Sequence, residues 1–216
     1  AKYGQEQANR MARWQNRVRV SNSADRNLSH ALNVMMKVGD ALNLPRTILE
    51  SASLTYRKAL RNKLVKGRSI HGVVAASVYI SCKQFGMART LEEVASACAI
   101  AKKEAGRSYR YVVWELSVLS PPTSPEYYVT RFSEQLELTR SVEILALRLL
   151  RAAIELRLTS GRGPTGLAAA VTYVASLLVG EHRTQREIAE VAKVTEVTIR
   201  NRYKELLEKV DITTTI

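Results

Sequence analysis

The segment 185–204 carries the residue types and spacing most suited to reading DNA. Its pattern predicts two short helices joined by a tight turn at Lys193. Val194 and Ile199 are apolar and are expected to face the core, while Thr195 is suited to cap the second helix. This is a helix-turn-helix pattern, and its second helix is predicted to expose Glu196, Val197, Arg200, Asn201 and Lys204.

The exposed side chains of this second helix match the chemistry of base recognition in the major groove. Arg200 could donate two hydrogen bonds to guanine, and Val197 could pack on a thymine methyl group. Glu196 could accept a hydrogen bond from cytosine, or could simply favour the helix N-terminus. Arg202 and Lys204 carry charge suited to phosphate. The alternative is an ordinary helical hairpin with a charged face.

A related segment at 91–110 has Gly106 where the later segment has Arg200. A glycine lets another backbone approach closely, so the earlier segment is expected to grip DNA backbone while the later one reads sequence. A glycine that is merely tolerated in a helix is the alternative. Charge without obvious base-reading chemistry is supplied here by Lys102, Lys103, Arg107 and Arg110.

The two segments belong to a duplication that covers most of the chain. A constant offset of 94 residues aligns 44–109 with 138–203 and gives 18 identities in 66 positions. Chance would give roughly 4 at typical residue frequencies. The period is too long for a solenoid unit of ~20–50 residues. We therefore predict two tandem domains, 25–117 and 125–216, with a linker at 118–124 and a basic arm at 1–24.

Each domain is predicted to be all-helical, with five helices marked by apolar periodicity and helix-start residues. In the first domain they are expected at 25–42, 45–64, 69–85, from 90, and 102–116. In the second they are expected at 125–136, 140–157, 164–179, 184–192 and 196–210. The third helix is apolar around much of its circumference, which predicts a central position. Thr90 and Thr184 each begin a capping-box pattern.

The net charge of +13 among 216 residues predicts a polyanionic or acidic partner. The charge divides into +4 for 1–24, +8 for 25–117 and +1 for 118–216. The basic arm interleaves arginines with Trp14 and could order on DNA or on a partner. A solvated basic tail is the alternative for that arm.

Several classes of protein are disfavoured by composition and motif. The sequence has no nucleophile elbow, P-loop or GxGxxG turn, which argues against an enzyme. Cys82 and Cys98 are too few for a disulfide framework or a four-ligand zinc site, and they are expected to be small buried hydrophobes. No apolar run approaches the ~18–20 residues of a membrane span.

These motifs together resemble the core of the transcription factor B family, whose eukaryotic member is TFIIB. The resemblance covers about 1–210 and is strongest to archaeal members across 193–206. In the first domain it rests on 43–46, 67–70, 78–82, 89–90 and 102–107. It implies a cyclin fold for each repeat and a monomer that binds TATA-binding protein on TATA-box promoter DNA and orients preinitiation complex assembly for RNA polymerase.

The resemblance also implies roles for individual residues. The second repeat would read the upstream B recognition element through Glu196, Val197, Thr198 and Arg200. DNA backbone would be approached by Gly106, Arg107, Arg202 and Lys204. The acidic stirrup of TATA-binding protein would be contacted by Lys102, Lys103 and Arg110.

Full-length members of the family carry a zinc ribbon and a polymerase-reaching segment ahead of this core, and residues 1–216 contain neither. We therefore expect no cofactor, and we assign polymerase contact to that missing N-terminal region. The expected location is the archaeal cytoplasm or nucleoid, or the nucleus in a eukaryote. Two alternatives remain: a cyclin-like protein-interaction module, and a dimeric helix-turn-helix repressor that binds a palindrome.

Overall fold

The computed structural model describes residues 25–121, 124–158 and 163–209, and every regular element within them is an α-helix. The first five helices are 25–41 (α1), Arg46–Arg61 (α2), Ile70–Gln84 (α3), Leu91–Ala97 (α4) and Lys102–Leu116 (α5). The next five are Pro125–Gln135 (α6), Arg140–Glu155 (α7), Pro164–Val179 (α8), Gln185–Ala192 (α9) and Glu196–Lys209 (α10). The predicted all-α class with two sets of five helices is confirmed.

The described residues fold as two compact units. Unit one comprises 25–85 and 89–121, and unit two comprises 86–88, 124–158 and 163–209. The predicted basic arm and part of the predicted linker, residues 122–123, lie outside the described residues. The predicted final residue of the last helix, Val210, lies outside them as well.

The central helix of unit two is α8, which packs against α6, α7, α9 and α10. Pro164 occupies its first turn, where the missing N–H costs no hydrogen bond, and Gly180 ends it with a φ of 87°. Gly166, Leu167 and the residues up to Ser176 are almost all buried. A helix that is apolar on nearly every side therefore becomes the core around which the others pack.

Unit one repeats this arrangement around α3, which packs against α2, α4 and α5. Ser69 caps α3 by accepting a hydrogen bond from the Gly72 N–H at 3.0 Å. The predicted second helix is corrected at its ends: Pro45 precedes α2 as its cap residue, and the helix ends at Arg61 instead of Leu64. Beyond Arg61 the chain forms turns that bury Leu64 and Val65.

The duplication seen in the sequence extends to tertiary hydrogen bonds. In unit one, an Nη of Arg89 donates to the Leu42 carbonyl at 2.7 Å. In unit two, an Nη of Arg183 donates to the Leu136 carbonyl at 3.0 Å, and both partners lie 94 residues later. Each arginine ties the start of the fourth helix to the end of the first helix of its own unit.

Candidate nucleic-acid interface

The first helix of the predicted helix-turn-helix is α9, and its start is held by reciprocal hydrogen bonds. The Thr184 hydroxyl accepts from the Glu187 N–H at 3.2 Å, and the Glu187 carboxylate accepts from the Thr184 N–H at 2.7 Å. The hydrogen bonds from the Thr184 N–H and hydroxyl lower the pKa of Glu187. Ile188, Ala189 and Ala192 are buried, so the opposite face of α9 is anchored in the core.

The turn between α9 and α10 is made by Lys193, which has a φ of 53°. Left-handed backbone is unusual for a residue with a side chain, and the Val194 N–H offsets its cost by donating to the Ala189 carbonyl at 3.2 Å. The same geometry occurs 94 residues earlier, where Ala99 has a φ of 54°. The turn is therefore a property of the repeat and not of Lys193 alone.

The second helix, α10, begins as predicted at the Thr195 cap, whose hydroxyl accepts from the Thr198 N–H at 3.2 Å. Ile199 and Leu206 are fully buried, and Val194 is partly buried against the same core. With these residues directed inward, the exposed residues between 196 and 204 are the five predicted ones: Glu196, Val197, Arg200, Asn201 and Lys204.

Three of the four predicted base-reading residues lie on this exposed face. Val197 is 59% exposed, so its methyl groups are accessible to a partner. Arg200 is exposed and donates from one Nη to the Gln185 side-chain oxygen at 3.5 Å. Thr198 is different: it is half-buried, and its hydroxyl lies 2.8 Å from that of Thr195.

The predicted backbone-binding residues of unit two also differ from each other. Lys204 is exposed. Arg202 is 29% exposed and forms an ion pair with Glu205 at 3.0 Å. A phosphate contact by Arg202 would have to compete with that carboxylate, whereas Lys204 has no ion pair within the described residues.

In unit one, the related pair of helices is α4 and α5, and Gly106 is buried within it. A Cβ at Gly106 would lie 3.4 Å from Leu91 Cδ2 and 3.6 Å from an Nη of Arg110. The side chains of Leu91 and Arg110 thus lie over this buried glycine, which disfavours close approach of a DNA backbone. Arg107, one residue later, is exposed.

The residues predicted to meet TATA-binding protein lie at the surface of α5. Lys102, Lys103 and Arg110 are all exposed. Lys102 already forms an ion pair with Glu92 at 2.7 Å, which leaves Lys103 and Arg110 as its more available neighbours for an acidic partner.

Sequence reasoning did not single out a further basic surface in unit one. It lies at the end of α2 and in the turns that follow, where all its residues are exposed and have no ion pair within the described chain. The Arg68 guanidinium also stacks on the Tyr111 ring, 3.6 Å from its centroid. The sequence does contain a pattern that could have indicated this surface, because residues 57–68 include six basic residues and no acidic residue. We call this the basic surface: Arg57, Lys58, Arg61, Lys63, Lys66 and Arg68.

Comparison with known proteins identifies the family. The family described as "Transcription factor TFIIB repeat" matches the chain twice, at residues 24–114 and 119–209. The chain belongs to the TFIIB family. The ten helices of the described residues therefore form two tandem cyclin-like repeats, with the helix-turn-helix in the second, as the sequence predicted.

The relatives of this TFIIB-family chain include archaeal proteins named transcription initiation factor IIB. That of Archaeoglobus fulgidus is 52% identical over 203 residues, which cover 94% of this chain and 62% of the relative. That of Methanosarcina mazei is also 52% identical, with 94% and 60% covered. That of Methanocaldococcus jannaschii is 51% identical over 207 residues, with 96% and 31% covered. The chain spans about three fifths of the length of the first two relatives.

The two thiols of this TFIIB-family chain are buried, as predicted. Burial raises the pKa of Cys82 and of Cys98 to about 12, so both stay protonated near neutral pH. The described part of the chain contains no group of three or more His, Cys, Asp or Glu residues that could hold a metal ion. These residues therefore do not fit a zinc site. Within the same residues, no helix is long and apolar enough to cross a membrane.

Proposed function

We propose that this chain is the promoter-binding core of a general transcription initiation factor. It binds TATA-binding protein on TATA-box DNA and reads the upstream B recognition element through α9 and α10. It thereby orients the assembly of the preinitiation complex for RNA polymerase. One observation carries the proposal: α10 exposes Val197 and Arg200 on a helix whose opposite side is anchored by the buried Ile199 and Leu206. A recognition helix needs this combination of a rigid base and an open polar face.

Only a few side chains of α10 recognise the base sequence of the DNA. Arg200 donates two hydrogen bonds to the major-groove edge of guanine, and Val197 packs on a thymine methyl group. Glu196, exposed at the first turn of α10, accepts from a cytosine amino group. Thr198 does not contact a base. Its N–H donates to the Thr195 hydroxyl, and this bond stabilises the start of the helix that carries the base-reading residues. Recognition of this kind involves no covalent step and no cofactor.

The positive charges of unit one mainly bind the DNA backbone and TATA-binding protein and do not read bases. The basic surface and Arg107 contact phosphates, and Lys204 does the same from unit two, because exposed and unpaired cations release counterions when they meet DNA. Lys103 and Arg110, with Lys102 beside them, meet the acidic stirrup of TATA-binding protein. Arg202 contributes to phosphate binding only where it leaves Glu205. Unpaired cations therefore supply most of the affinity, and α10 supplies the sequence preference.

Contact with RNA polymerase is proposed for the part of the longer relatives that lies outside the matched residues. The chain acts as a monomer, since its two repeats are not identical and meet an asymmetric promoter. Because its relatives are archaeal, we propose that it works at the nucleoid in the cytoplasm.

A gel-shift titration tests this proposal. The full chain is mixed with promoter DNA in the presence and absence of TATA-binding protein, on promoters with an intact or a scrambled upstream element. We expect a ternary complex that needs TATA-binding protein, is tighter on the intact element, and weakens steeply with salt. A shift on palindromic DNA without TATA-binding protein would instead indicate the dimeric repressor, and kinase activation without a shift would indicate the protein-interaction module.

A further inference from the structure

The amide of Gln185 lies between the buried part of unit two and the exposed Arg200. Gln185 is the first residue of α9, and its Nε2 donates to the Tyr173 hydroxyl at 3.4 Å. Its Oε1 accepts from Arg200 Nη2 at 3.5 Å. A guanidinium has only donors, so the amide must present its oxygen to Arg200 and its nitrogen to Tyr173. The side chain therefore links the half-buried Tyr173, which packs against the core, to the residue proposed to read guanine.

Both members of this pair of positions differ between the two repeats. Ninety-four residues earlier, Leu91 stands at the position of Gln185 and Gly106 at the position of Arg200. The Leu91 side chain lies 3.4 Å from the site of a Gly106 Cβ, so these two positions are neighbours in both repeats. A polar pair occupies them in unit two, and a leucine over a glycine occupies them in unit one.

The tyrosines behind these positions are the same in both repeats. Tyr79 and Tyr109 pack with ring centroids 5.0 Å apart in unit one, and Tyr173 and Tyr203 pack at 5.3 Å in unit two. The scaffold is thus shared, and the link from tyrosine to arginine is present only where the repeat has an arginine to position.

We propose that Gln185 is a positioning residue that holds Arg200 ready to read the upstream element. This inference rests on the proposed function. An exposed arginine loses much rotamer freedom when it meets a base, and a partner that restricts it beforehand lowers that cost. A guanidinium has five N–H donors, so Arg200 can keep its Nη2 contact with Gln185 while two other donors meet guanine.

The first test uses residues 1–216 without DNA or TATA-binding protein. The ¹⁵N–¹H heteronuclear NOE of Arg200 Nε reports the fast motion of that side chain. We expect Gln185→Ala to lower it and Gln185→Glu, which keeps an acceptor oxygen, to preserve it. Gln135→Ala, which removes an exposed amide from α6, is the matched control and should change nothing. Equal Arg200 order in wild type and Gln185→Ala would overturn the proposal.

The second test is a double-mutant cycle on the promoter complex. Gln185→Ala should lower the preference for the intact over the scrambled element by roughly two- to five-fold, as expected for one exposed side-chain hydrogen bond. In an Arg200→Ala background it should lower the preference no further. Equal losses in both backgrounds, or equal weakening on both promoters, would overturn positioning through Arg200. No preference in the wild type would defeat the proposed function, while the NOE still decides whether Gln185 holds Arg200.

Discussion

Replacing Arg200 with alanine tests base reading most directly, because the side chain is exposed on α10 and alanine maintains the helix. Within the described residues its one hydrogen bond is the 3.5 Å contact with Gln185, which costs little to release. A bidentate contact with guanine contributes about 1–3 kcal/mol of discrimination. Arg200→Ala should therefore lower the preference for an intact upstream element by roughly 5- to 150-fold.

The assay is an equilibrium titration of the full chain with TATA-binding protein on intact and scrambled promoters, repeated at several salt concentrations. Arg148→Ala is the matched control, since Arg148 is exposed on α7 and has no ion pair within the described residues. It removes the same charge from the same unit. We expect this control to leave the ratio of the two affinities unchanged.

Salt dependence separates a base contact from a phosphate contact. A lost phosphate contact weakens binding to both promoters alike and reduces the slope of log affinity against log salt by about 0.9. If Arg200→Ala behaves in this way, with the affinity ratio unchanged, Arg200 binds backbone and the base-reading argument is refuted.

Three further predictions follow from other parts of the molecule. Replacing Lys63 and Lys66 of the basic surface with glutamine should weaken binding equally on both promoters and reduce the salt slope by about 0.9 for each contact, measured by the same titration. Thr184→Ala should lower the free energy of unfolding by about 1 kcal/mol in urea denaturation, through loss of the α9 cap. The backbone N–H of residue 184, which the variant keeps, and the Thr184 hydroxyl, which it loses, both lower the pKa of Glu187. The part of the stabilisation that comes from the hydroxyl is present above the unfolded-state pKa of about 4.3 and is lost as the pH falls through the lower native pKa. The difference between wild type and Thr184→Ala should therefore shrink in acid, and a constant difference would contradict this origin. Gly72→Ala should destabilise by roughly 1–3 kcal/mol despite the better helix propensity of alanine, because the new Cβ would lie 2.8 Å from a serine hydroxyl of α5; a stabilised variant would contradict the close packing.

The helices could be predicted because their signals involve residues only a few positions apart. Thr184 and Glu187 form the expected capping box, and Pro164 begins α8 as predicted. Pro45 shows the limit of such local signals. A proline was expected to occupy the first helical position, whereas here it is the cap residue that precedes Arg46. Local chemistry predicted that a helix begins there, but not at which of the two residues.

The exposed face of α10 could be predicted in part. Helical periodicity directed Ile199 inward and Arg200 outward, as the structure has them. It also left Thr198 off the exposed face, and only the resemblance placed Thr198 among the base-reading residues. The structure shows what holds it inward: its methyl carbon lies 3.1 Å from the Cβ site of Gly166 in α8. That contact joins residues far apart in the chain, so no local pattern reports it. The ion pair of Arg202 with Glu205, three residues later, was available from spacing alone.

The all-helical class and the location of the helix-turn-helix could be predicted from local patterns, because periodicity and capping depend on neighbours along the chain. The duplication at 94 residues could be read directly from identities at that offset. The folded units were needed to show that Leu91 covers Gly106, that Gln185 meets Arg200, and that the basic surface has no ion pair within the described residues. These relations depend on how consecutive helices cross around α3 and α8. The crossing angle and distance of two helices depend on the side chains that pack between them. Those side chains come together only when the unit has folded.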